Sequence, residues 1–95
     1  MTTYYVLVYE SVKDFVARRA PYREEHLRLI REAHGRGELV LAGAVGDPPD
    51  GGLMVFRTSS PSMAEEFARR DPYVTSGIVT NWHVKPWHVV AGHEG

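Results

Sequence analysis

His26 is the residue whose position asks for chemistry. It falls near the middle of an apolar helical arc shared with Tyr22, Leu29, Ile30 and Ala33, where Leu or Ile would be expected. A buried imidazole gives up hydration and needs a hydrogen-bond partner. It is therefore either a satisfied structural histidine or a group held in a water-poor pocket for proton transfer. Asp71 offers such a partner. It precedes Pro72 at the end of a second helix, where a carboxylate opposes the negative end of the helix dipole and gains nothing from it. Asp-Pro also begins turns, which is the structural reading of the same residue. On the functional reading the two helices lie side by side and Asp71 hydrogen-bonds His26, fixing its tautomer and supporting its protonated form.

Other residues gather around this pair. Tyr22 lies one turn before His26, with Arg19 and Arg23 nearby. Together they would present a phenol and a cation to an anionic substrate, or else form a solvated helix edge. Ser76-Gly77 would supply a hydroxyl or a close backbone approach, or simply a turn. No metal-ligand spacing survives inspection: His83 and His88 point to opposite faces of a strand, and His26 and His34 are splayed two turns apart. With no cysteine, no phosphate-binding glycine loop and no nucleophile elbow, the site is expected to work without metal or cofactor.

These residues need a frame. Tyr4 to Tyr9 is β-branched and aromatic throughout and reads as a first strand. Pro21 to about Arg36 is an amphipathic helix with Glu24, Glu25, Arg28, Arg31 and Glu32 outward; Ser11 to Ala20 before it is a further helical turn or a loop. Leu39–Val45 and Leu53–Phe56 are the second and third strands, with turn chemistry throughout Asp47–Gly52. Ser60-Pro61 starts a second helix that stops near Arg70 or Asp71, and Tyr73–Gly77 is a loop. A last strand lies within Ile78–Val90, bent or ended near Pro86, and Ala91–Gly95 is a frayed tail. The order is that of the ferredoxin-like βαββαβ arrangement, an α+β fold with one antiparallel sheet and both helices on one face. Since the first strand is apolar in both directions, the helix-free face must also be covered, and a second copy packed sheet against sheet would do so.

The 95 residues of the chain suit one domain spanning residues 1–95. Eleven Lys and Arg against 12 Asp and Glu leave a net charge of −1 and no basic footprint, so nucleic acid is not an expected partner. The longest apolar run near the start is far shorter than a membrane span and follows no basic segment. A cytoplasmic protein without membrane attachment is the expectation.

His26-Leu27 on the first helix, Gly37-Glu38-Leu39-Val40-Leu41-Ala42-Gly43, Asp71-Pro72-Tyr73-Val74 with Gly77, and Val84-Lys85-Pro86-Trp87 form a recognisable series. In these the sequence resembles the YciI-like family, over nearly the whole chain in order and spacing. The Asp-Pro-Tyr element followed by glycine is the most specific part. The resemblance implies the dimeric α+β barrel, a fold also used by muconolactone isomerase, and hence a homodimer. It further implies that His26 and Asp71 match the family's paired His and Asp at an active site. The expected contacts to a small-molecule ligand are then Tyr22, Arg23, Gly43, Tyr73, Ser76 and Gly77. Ala44 departs from the family pattern, which has proline after Ala-Gly, and so bears on the pocket wall beside the second strand. Two functions follow. One is a cofactor-free enzyme in which His26 exchanges a proton and Asp71 orients it, acting by elimination or isomerisation on a small cyclic or aromatic substrate. The other is a dimeric binding or accessory module that holds a metabolite without turning it over.

Overall fold

A computed structural model describes residues 3–92; residues 93–95 of the expected tail lie outside the described residues. The elements run β1 (Tyr4–Ser11), α1 (Phe15–Arg18), α2 (Ala20–Gly35), β2 (Leu39–Gly46), β3 (Pro49–Arg57), α3 (Ser62–Arg70), α4 (Pro72–Thr75) and β4 (Val79–Trp87). The strands form one antiparallel sheet in the order β2-β3-β1-β4. This is the expected α+β architecture, with β1 and β3 central and β2 and β4 at the edges.

Alternation along β1 sorts its side chains. Leu7 and Tyr9 point to the helices and are buried, with Leu39 of β2 and Met54 and Phe56 of β3 completing the sheet side of the core. Leu29 and Ala33 of α2 and Ala64, Phe67 and Ala68 of α3 close it from above. α2 ends where its sequence says it should. Gly37 adopts φ +79°, its N–H donates to the His34 carbonyl and the Glu38 N–H donates to the Ala33 carbonyl, a Schellman termination that turns the chain into β2. The helix-free face carries Val6, Val8, Leu41, Val45, Leu53, Val55 and Trp87, of which Leu41 is 69% exposed.

Two expectations need correction. Asp47–Gly52 is not turn throughout: the turn is Asp47-Pro48, and β3 already begins at Pro49 and pairs Gly51 and Gly52 with Glu10 and Tyr9. Glycine suits that register because a Cβ at Gly51 would stand 2.7 Å from the Tyr9 carbonyl oxygen. Nor is Tyr73–Gly77 a loop. Pro72–Thr75 forms the single turn α4, started by proline and capped by the Asp71 side chain.

Candidate active site

Asp71 is fully buried, at 0% exposure, and every hydrogen bond it makes explains why it can be. Oδ1 accepts the backbone N–H of Tyr73 at 3.0 Å, the Asx cap of α4. Oδ2 accepts the Tyr9 hydroxyl at 2.8 Å and lies 2.8 Å from Nδ1 of His26. The expectation that Asp71 gains nothing from its position is thus corrected. It ends α3 but starts α4, and the cap outweighs the unfavourable dipole behind it.

With the Tyr9 hydroxyl and the Tyr73 N–H already donating to Asp71, an Nδ1–H is the group of His26 that fits Oδ2. In that tautomer Nε2 keeps its lone pair. The ring is held in orientation as well as in tautomer: Tyr73 stacks on it with centroids 4.0 Å apart and planes within 10°, and Phe15 packs edge-on to Tyr73 at 5.3 Å. Burial above all, and then the neighbouring Asp71 charge, pushes the Tyr9 phenol far above its ordinary range. Tyr9 therefore remains a donor to Asp71 well beyond neutral pH.

A cavity of about 310 Å³ opens beside the pair, lined by His26, Tyr9, Tyr73, Arg19 and Arg23 over a floor of Ala42, Ala44 and Gly52. The floor helps to explain the space. Ala42 and Ala44 put only methyl groups on the helix-facing side of β2, and Gly52, which pairs with Ala44, adds no side chain. Ala44, the departure from the family pattern, is part of that floor. Burial raises the Tyr73 phenol too, while the charges of Arg23 and Arg19 oppose the shift. The acidic residues of α2 are engaged elsewhere, Glu24 with Arg31 and both Glu25 and Glu32 with Arg28, which leaves Arg19 and Arg23 directed to the cavity.

Of the expected ligand contacts, Arg23, Gly43 and Tyr73 line this cavity; Tyr22, Ser76 and Gly77 do not. The helix explains Tyr22. The cavity side of α2 is Arg23, Leu27 and Ile30, whereas Tyr22 shares the Leu29–Ala33 side and packs into the core, with His26 on the border between the two. Ser76 and Gly77 follow α4, where Gly77 at φ +86° turns the chain toward β4. Two residues not expected at the site belong to it: Tyr9, which binds Asp71, and Ser11, at the cavity wall. Tyr9 gave no signal because an aromatic in an unbroken apolar strand reads as core. Among the described residues no group of three or more His, Asp or Glu side chains could hold a metal ion.

The raised phenols predict a pH effect on the fold. A group whose folded pKa exceeds its unfolded value supports the fold fully below the unfolded value, about 10 for tyrosine, and loses that support as pH rises beyond it. Denaturant unfolding is expected to give constant stability from pH 8 to about 10 and a decline above, smaller in Tyr9→Phe. An identical alkaline decline in Tyr9→Phe would show that this phenol is not the group responsible.

Residues 3–88 match a family described as the YCII-related domain. An uncharacterized protein of Haemophilus influenzae is 27% identical, with 92% of this chain and 98% of that protein covered. Protein YciI of Escherichia coli is 28% identical, with 90% and 97% covered. Among solved structures, the 5-chloro-2-hydroxyhydroquinone dehydrochlorinase of Burkholderia phenoliruptrix, in complex with 2,5-dihydroxybenzoquinone, shares the fold with a TM-score of 0.72 at 14% identity. The alignment covers 88% of this chain and 92% of that one. No helix among the described residues is long and apolar enough to cross a membrane.

Proposed function

The chain belongs to the YCII-related family, and from that membership and the geometry of the cavity we propose a cofactor-free lyase or isomerase acting on a small hydroxylated ring. The observation that carries the reading is the His26–Asp71 contact of 2.8 Å at the wall of a cavity. His26 Nε2 takes a proton from a ring hydroxyl, and the imidazolium so formed is stabilised by the carboxylate at Nδ1. Returned to a ring carbon, that proton completes an isomerisation.

If the carbon carries chlorine, loss of a second hydroxyl proton and departure of chloride with its bonding pair complete an elimination. HCl is lost overall and the ring ends at the quinone level without an external oxidant. The related dehydrochlorinase, whose substrate is a chlorinated hydroxyhydroquinone, supports the choice of substrate class. Chloride release from a panel of chlorinated hydroquinones and hydroxyhydroquinones, with the corresponding quinone appearing in equal amount, tests the proposal. Tight binding across the panel with no turnover would instead identify a binding module.

The working unit on this reading is a homodimer, each copy one domain, with the two helix-free faces closing a barrel. Leu41, Val45, Leu53 and Trp87 form an apolar patch that would otherwise face water. Sedimentation equilibrium at micromolar concentration is expected to give twice the 10.7 kDa of one chain, and Leu41→Lys to shift the mass toward one. A wild-type mass near that of a single chain would refute the dimer.

A further inference from the structure

The cavity wall holds two buried hydroxyls with no protein partner, Ser11 Oγ and Tyr73 Oη, and they belong to different layers of the fold. Ser11 ends β1 on the sheet side, beyond Tyr9, where the register against β4 shifts between Glu10 and Ser11. Such a shift re-aims the side chain that follows it. Tyr73 comes from α4 in the helix layer, stacked on His26, with Arg19 and Arg23 close enough to act on its phenol. A buried hydroxyl left unpaired is costly, and both of these line the one cavity that His26 also lines.

The volume accommodates a ring. A space of about 150 Å³ suffices for bare benzene, so about 310 Å³ admits a ring together with its substituents. Arg19 and Arg23 add positive charge beside Tyr73.

We infer that the cavity selects a six-membered ring bearing oxygen at two separated positions, one held by Tyr73 beside the two arginines and the other held by Ser11. The inference rests on the proposed function and extends it: Ser11 becomes a specificity residue that favours rings with a second oxygen. A ring held at both ends is fixed in its plane against the His26–Tyr73 stack, which decides which hydroxyl Nε2 can reach.

Calorimetric titration of the unmodified protein, Ser11→Ala and Tyr73→Phe with hydroquinone and with phenol tests this without requiring turnover. The unmodified protein should prefer hydroquinone. Ser11→Ala should weaken hydroquinone roughly three- to tenfold and leave phenol unchanged, while Tyr73→Phe should weaken both. Ser11→Ala should also leave the melting temperature of the free protein undiminished, since it removes an unpaired group and no packing. Equal affinity of Ser11→Ala for hydroquinone, or an equal loss for both ligands, overturns the inference. Proton-transfer activity that persists alongside either result leaves the proposed function standing, and absence of binding by every ring overturns both.

Discussion

Replacing His26 by Gln is expected to lower turnover of a hydroxylated ring substrate by about 10²–10⁴-fold, the contribution of a positioned general base, while the protein still folds. Gln can retain a hydrogen bond toward Asp71 Oδ2 and fill most of the ring's volume, but it has no lone pair that takes a proton at neutral pH. Asp71→Asn should cost a similar factor by another route. With an amide in place of the carboxylate, Nδ1–H meets a neutral partner that also donates, the tautomer is no longer fixed and the imidazolium loses its counter-charge. Because the two act as one unit, the double variant should be only slightly worse than either single one. Steady-state rates of the three variants, with circular dichroism to establish folding, check this. Independent, multiplying losses would mean that the residues do not work together.

Asp71→Ala is expected to destabilise the fold by several kcal/mol, since each buried donor left without an acceptor costs about 1–3 kcal/mol. The Tyr9 hydroxyl, the Tyr73 N–H and His26 Nδ1 would all lose their acceptor, a carboxylate that is itself fully buried. The loss is large against the roughly 5–15 kcal/mol that holds an ordinary domain together. Asp71→Asn should cost clearly less, since one amide oxygen remains to cap α4. Denaturant midpoints for the two variants measure the difference, and a small effect of Asp71→Ala would show that the buried network contributes little to the fold.

The strands are legible as short runs of apolar, largely β-branched and aromatic residues and the two long helices as runs of period 3.6, and His26 stands out because it interrupts such a run. Asp71 was visible as a motif and not as geometry: a carboxylate at the end of one helix looks misplaced until the four residues after it form another, and four residues have no periodicity to detect. The early half of β3 was hidden because Pro-Asp-Gly-Gly is turn composition, although here the glycines admit the close approach of Tyr9. Tyr9 and Ser11 were invisible for opposite reasons. The first is indistinguishable from a core aromatic, and the second is a short polar residue at a strand end, where one is unremarkable. Both depend on long-range placement: Tyr9 meets a residue 62 positions away. Tyr22 shows the limit from the other side, since a shared apolar arc does not say which part of it faces the core and which faces the cavity.

The central claim is that His26, held by Asp71, moves protons between solvent and a ring in the cavity. Its most direct test is the exchange of ring hydrogens with solvent, which needs no leaving group and no product. Proton NMR of 1,2,4-trihydroxybenzene in deuterium oxide, kept free of oxygen, follows it carbon by carbon. Unmodified protein is expected to accelerate loss of ring C–H signal well above the buffer rate, and His26→Gln to return it to that rate while still binding the ring. Exchange that continues undiminished in His26→Gln, or a ring that binds the unmodified protein with no exchange at any carbon, would contradict the claim.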